Sequence, residues 1–294
     1  MKRYFSILMV LVLGIMAGGC ASLRDSGVIP KSKLSVHDLV AQEGGATVAL
    51  MMYDDDRDTT LTTGYRPFCT GVWVDNTHIL TADHCAKAEQ EHQQDRLDER
   101  KKKEESDDGP MTFEKMLKKL FGAQAEQEVD KIEEKGLVVH FITENEVVEV
   151  GKEPSAWHMS KVAAFDEKHD LALLEVTGKA IPAHRVAKLA DVTPEIGETV
   201  HIVGQTTGMY WTYIQGNVSA YRGADYVKSK KGGDLGPWMQ VASPMYFGNS
   251  GGGAFNDYGE LVGIADWIKR APEMGFFVHL DTIKSFLDTN LNKK

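Results

Sequence analysis

Residues 198–222 read ETVHIVGQTTGMYWTYIQGNVSAYR, two runs rich in β-branched and aromatic residues with a short polar break between them. Such residues fit the pleated, half-buried surface of a strand, so the stretch predicts two strands in succession. The same texture continues on both sides. After it come WMQVA (238–242), GGAFN (252–256), ELVGIADWI (260–268) and GFFVHL (275–280), parted by the turn-forming KKGGDLGP and NDYG. Before it come GATVALMMY (45–53), FCTGVWV (68–74) and HILTA (78–82), then, after a gap, LVVHFITENEVVEV (137–150), KVAAF (161–165) and LALLEV (171–176). Two groups of about six strands, with no strand–helix–strand rhythm, predict two antiparallel barrels or sandwiches. The last run, LDTIKSFLDTNL, puts Leu280, Ile283, Phe286 and Leu287 on one helical face and predicts a docked terminal helix.

The gap, residues 86–135, differs in kind. Its first half is almost wholly charged or amide-bearing, which predicts a solvated helix or a disordered segment. Its second half carries Phe113, Met116, Leu117, Leu120 and Phe121 at helical spacing. The segment reads as a helical insertion whose apolar stripe needs a surface, either this protein's own barrel or a protein partner.

A formal charge of −10 argues against a nucleic-acid or anionic-membrane binder, because phosphates are held by clustered Lys and Arg. The N-terminus is basic at Lys2 and Arg3, apolar from Tyr4 to Ala17, and ends in AGGC at Cys20, which reads as an export signal. That ending resembles the bacterial lipobox, in which the cysteine is acylated; an ordinary signal peptide cut nearby is the other reading. Acylation would place the protein in the cell envelope, facing the periplasm, and Ala21 favours the outer membrane. Residues 1–20 are thus expected to be a lipoprotein signal and 21–44 a linker. Export also lets Cys69 and Cys85 pair in an oxidising compartment, whereas two cysteines 16 apart with no second pair of ligands make a poor zinc site.

Three short motifs carry the chemistry. FGNSGGG (247–253) sets Ser250 among glycines, which leave backbone N–H groups and a hydroxyl unobstructed. LTADHC (80–85) puts His84 at the end of a strand, and KHDLALLEV (168–176) puts Asp170 at the start of another, where a carboxylate can be buried enough to orient an imidazole. His169 is expected to face solvent. No histidine spacing suggests a metal site, and no cofactor is expected.

Together, LTADHC, HDLALLEV and GNSGGG resemble the trypsin-like serine proteases of the double β-barrel, chymotrypsin-like fold, closest to HtrA-type and glutamyl endopeptidases. The resemblance implies an all-β protein of two antiparallel six-stranded barrels over residues 45–288, with the helical insertion, the C-terminal helix and a short tail at 289–294. It also implies that His84 is the general base, Asp170 its orienting acid and Ser250 the nucleophile, with the N–H groups of Gly248 and Ser250 as the oxyanion hole. The specificity pocket would be lined by Pro244, Met245, Tyr246, Ala265, Trp267 and Ile268, which carry no charge and suit small or medium apolar residues.

Some residues depart from the pattern. Asp83 puts a second carboxylate beside the base, and Asp266 stands where a serine often supports the triad aspartate, so it either turns away or retunes the site. Asn249 replaces the aspartate that captures a new N-terminus in trypsin-like zymogens. The expectation is an exported, lipid-anchored serine endopeptidase acting on peptides or proteins. The alternative is a catalytically silent envelope binding module.

Overall fold

The structure is a computed structural model that describes residues 31–53, 65–106, 138–146, 158–178, 184–223, 227–228, 234–268 and 273–291. Residues 34–294 form one compact unit. Cys20, the rest of the expected signal, the stripe at 113–121 and residues 292–294 of the expected tail lie outside the described residues, while Thr289 to Leu291, expected as tail, belong to the C-terminal helix.

The first barrel is built from β1 (Thr47–Tyr53), β2 (Tyr65–Trp73), β3 (His78–Thr81), β4 (Val138–Thr143), β5 (His158–Asp166) and β6 (Leu171–Thr177). All neighbours are antiparallel and the ring closes in the order β1-β2-β3-β6-β5-β4. A two-residue β7 (Lys188–Leu189) follows. The second barrel uses β8 (Thr199–Gly204), β9 (Thr212–Arg222), β12 (Trp238–Ala242), β13 (Gly253–Phe255), β14 (Glu260–Ile268) and β15 (Gly275–His279), in the order β13-β8-β9-β12-β15-β14, closed by pairing of β13 with β14. β10 (Val227–Lys228) and β11 (Asp234–Leu235) make a separate small hairpin, and β7 runs parallel to β14 outside the ring. The fold is therefore two six-stranded antiparallel barrels with few helices.

Packing follows the pleat. In β9, Ile214, Gly216 and Val218 are buried while Gln215, Asn217 and Ser219 are exposed, the alternation of a sheet with one wet face. Trp73, Ile79, Phe141 and Leu174 fill the first barrel, and Ile202, Val218, Met239 and Val262 the second. A third cluster joins the two: Val72, Leu80 and Leu173 of the first barrel meet Trp238, Phe255 and Phe276 of the second. Onto it docks the C-terminal helix (Leu280–Leu291), burying Leu280, Ile283, Phe286 and Leu287.

Three elements differ from the sequence expectation. First, Val36–Ala46, which begins in the expected linker (21–44) and runs past its end, is a helix, α1, capped by Ser35, whose hydroxyl accepts from Asp38 N–H at 3.1 Å, and it buries Leu39 and Ala46. Second, β4 stops at Thr143 instead of running on through ENE (144–146), because Glu146 Oε2 accepts from both Thr143 N–H (2.7 Å) and Thr143 Oγ1 (2.6 Å) and folds the chain into a 3-10 turn over Glu144–Glu146. Third, the charged start of the insertion is one helix, α2 (Asp83–Ser106), with a buried face at Ala86, Glu89 and Gln93. Gln93 donates to Glu89 at 2.7 Å and Glu89 lies 3.5 Å from His140 Nδ1 of β4, so polar groups are buried there in one another's company.

Candidate active site

Three elements converge where the barrels meet. The first turn of α2 supplies His84, the turn between β5 and β6 supplies Asp170, and the glycine turn before β13 supplies Ser250. A disulfide between Cys69 of β2 and Cys85 of α2 fixes the base of the helix beside His84. His84 Nδ1 and Asp170 Oδ2 are 2.5 Å apart, and the His84 backbone N–H donates to Asp170 Oδ1 at 2.8 Å. One carboxylate thus holds His84 by its ring and by its backbone. Asp170 has φ 53°, a left-handed conformation uncommon outside glycine but tolerated by aspartate. Burial works to raise its pKa, but the hydrogen bonds from His84 and Asp266 outweigh that and bring it down to about 2, so Asp170 stands as a carboxylate.

The turn at 247–252 depends on its glycines. Gly248 (φ 98°) lies against the backbone of Gln205 and Gly251 (φ 82°) against Thr70 and Ala82, so a Cβ at either would overlap backbone atoms. Gly251 N–H donates to Ala265 (2.7 Å), and Ala265 N–H returns a bond to Gly252 (2.8 Å). Neither the N–H of Gly248 nor that of Ser250 has an acceptor among the described residues, although Gly248 is buried. A buried N–H is nearly always paired, so the donor of Gly248, with that of half-buried Ser250 two residues on, is open to an incoming acceptor. Ser250 Oγ donates to the carbonyl of Asp266 at 3.1 Å, and no hydrogen bond joins it to His84.

The departures resolve differently from one another. Asp83 turns away from the imidazole to Lys87, 2.6 Å from its Nζ, which also stands 3.8 Å from Glu167. Asp266 does not turn away: its Oδ1 lies 4.0 Å from His84 Nδ1, and only 8% of the side chain is exposed. Asn249 is fully buried, donates to the Tyr246 carbonyl (3.2 Å) and accepts from Thr206 Oγ1 (3.1 Å), so its amide is occupied inside the turn. His169 is half-buried rather than solvent-facing, because Asp166 Oδ2 sits 2.6 Å from its Nδ1.

Of the expected pocket residues, Pro244 and Tyr246 are exposed and Ile268 is half-buried, but Ala265 has no exposed surface and Met245 only 6%. Trp267 stacks on Phe276 with ring centroids 3.8 Å apart. The nitrogen of His84 and the oxygens of Asp170 and Asp266 lie within 4.8 Å of one another, and each Asp170 oxygen accepts one bond from His84.

One residue that no motif marks is Thr70. Its Oγ1 donates to the Gly248 carbonyl (2.7 Å) and accepts from Gln205 N–H (3.2 Å), while its N–H donates to the Ser250 carbonyl (2.8 Å). A strand of the first barrel thus holds the glycine turn of the second. The only signal in the sequence is its place directly after Cys69.

Residues 69–264 match the Trypsin-like peptidase domain family, and the chain belongs to it. Among curated relatives, "Serine protease HTRA1" of Xenopus tropicalis is 26% identical over 167 residues, covering 55% of this chain and 35% of that protein. "Probable periplasmic serine endoprotease DegP-like" of Pseudomonas fluorescens is 35% identical over 105 residues, 36% of this chain and 21% of that protein. The matches therefore span about a third of the first relative and about a fifth of the second. The crystal structure of Rv3671c from M. tuberculosis in an inactive form superposes with a TM-score of 0.54 at 13% identity, covering 91% of this chain and 98% of that one, a likeness of fold.

Proposed function

We propose that this protein is a serine endopeptidase of the cell envelope, exported and anchored by a lipid on Cys20, that cleaves peptide bonds through an acyl-enzyme. The observation that carries the reading is the doubly held His84–Asp170 pair beside a glycine turn with two unpaired N–H groups. Asp170 fixes the imidazole with its proton on Nδ1, leaving Nε2 free to take the proton of Ser250 Oγ as that oxygen attacks the substrate carbonyl. The new oxyanion finds the N–H groups of Gly248 and Ser250. His84 then passes its proton to the leaving amine, and a water activated by the same imidazole releases the acyl group. Side chains carry every proton, so no cofactor is called for.

The bond from Ser250 Oγ to the Asp266 carbonyl is what favours the silent-module alternative. It is one hydrogen bond of a hydroxyl that rotates freely, and catalytic hydrogen bonds are often misaligned before substrate arrives. A fluorophosphonate probe decides between the readings: it is expected to label the wild type and not Ser250→Ala, and an unlabelled wild type would leave the binding module as the better account.

Two finer expectations accompany this. Met245 fills the space over Gly275, where a Cβ would come 2.5 Å from its Sδ, so little room remains for a large side chain before the cut. A peptide library should show cleavage after small or medium apolar residues; a profile dominated by basic or acidic residues contradicts it. For the anchor, Cys20→Ser should move the protein from the detergent phase to the aqueous phase, and unchanged partitioning would remove the lipid from the proposal.

A further inference from the structure

Taking the triad reading as its basis, we propose that Asp266 is a positioning residue that holds a proton between two carboxyls: it donates to Asp170, so that one negative charge, not two, stands behind His84. The geometry carries this. Asp266 sits at a β-bulge, where the pairing of β14 with β15 slips between Ala265 and Trp267. A bulge re-aims the extra side chain, here inward toward the base, 4.0 Å from His84 Nδ1. Asp170 spends each oxygen once on His84, and each carboxylate oxygen has a second lone pair for a donor from behind. A protonated carboxyl can supply that donor; an ionised one cannot.

The groups facing Asp266 leave the proton as its compensation. From α2 comes His84, with Asp83 and Lys87 turned to each other. From the β5–β6 turn comes Asp170, with His169 engaged by Asp166. From the glycine turn comes Ser250, bound to the Asp266 carbonyl, and β15 presents Phe276 and Phe277 at this register. Among the described residues no lysine or arginine pairs with Asp266, unlike Asp83. Burial first, then the hydrogen bond to Asp170 and its charge, push the Asp266 carboxyl well above the usual range, in line with the geometry. Two carboxyls whose oxygens lie within 4.8 Å of each other titrate as a pair, and the one that keeps the shared proton loses it above the usual carboxylate range.

The test reads the proton and its consequence in full-length protein. With ¹³C-labelled aspartate, the Asp266 Cγ resonance, assigned by its loss in Asp266→Asn, is expected at the protonated-carboxyl position at pH 7; an ionised position overturns the proposal. This reading needs no turnover and can be made in Ser250→Ala, so it stands even if the peptidase reading fails. In the active enzyme, Asp266→Asn removes a charge only if one was there. The acid limbs of the kcat/KM profiles of wild type and Asp266→Asn should therefore coincide. A limb moved to lower pH by about one unit or more would mean a charge had been removed beside the base, and would overturn the proposal. Asp266→Ala, which removes the donor, should lower kcat roughly tenfold with KM held, while Asn keeps the rate. An Ala variant as active as wild type, with the same pH profile, shows that Asp266 positions nothing.

Discussion

On the proposed triad, His84→Ala and Ser250→Ala are each expected to lower kcat/KM by roughly 10⁴-fold or more, and the double variant to lose little beyond either. The reason lies in how the parts depend on one another. Without His84 the Ser250 hydroxyl has no base for its proton, and among the described residues it meets only the Asp266 carbonyl, which cannot act as one. Without Ser250 the imidazole held by Asp170 has no nucleophile to activate. What survives both losses is the pair of open N–H groups at Gly248 and Ser250, which can still polarise a bound carbonyl toward water. Kinetics on a cleaved peptide with the two single variants and the double variant measure this. Multiplying losses in the double would mean that the two residues act independently, contrary to the triad.

The frame of this site was legible in the sequence because strand burial writes a pattern. Ile214 to Ser219 alternate in and out as their letters suggest, and the apolar spacing of Leu280, Ile283, Phe286 and Leu287 became the docked face of the terminal helix. Other features were illegible for physical reasons. The buried face of α2 is Ala86, Glu89 and Gln93, so it carries no apolar stripe, and its burial depends on side-chain bonds to β4, a strand 45 or more residues later in the chain. The end of β4 is set by Glu146 reaching back to Thr143, a contact that hydrophobic pattern does not register. Asp83 and Asp266 looked alike as extra carboxylates near the base. They diverged because Asp83, in the first turn of a helix, meets Lys87 one turn on, whereas Asp266 sits at a bulge whose register no local sequence rule gives.

Thr70→Val is expected to cost about 2–5 kcal/mol of stability and to slow acylation of Ser250, while Thr70→Ser keeps most of both. Valine fills the same volume, so packing alone predicts little change at this fully buried position. The hydroxyl, however, serves two buried backbone groups, donating to the Gly248 carbonyl at 2.7 Å and accepting from Gln205 N–H at 3.2 Å. Valine leaves both unpaired, and an unsatisfied buried polar group costs about 1–3 kcal/mol. The consequence for function follows from where Gly248 sits. Its carbonyl is tied by Thr70 to the first barrel, which also carries His84 and Asp170, while its N–H is one of the two open donors. Releasing that carbonyl lets the turn tilt, so the donor drifts from the place an oxyanion would occupy, and kcat should fall more than KM rises. Denaturant unfolding and the rate of fluorophosphonate labelling read the two effects separately. A Thr70→Val protein with unchanged midpoint and unchanged labelling would show that the barrels are held in register by their apolar seam alone, through contacts such as Leu80 and Val72 against Phe255 and Phe276.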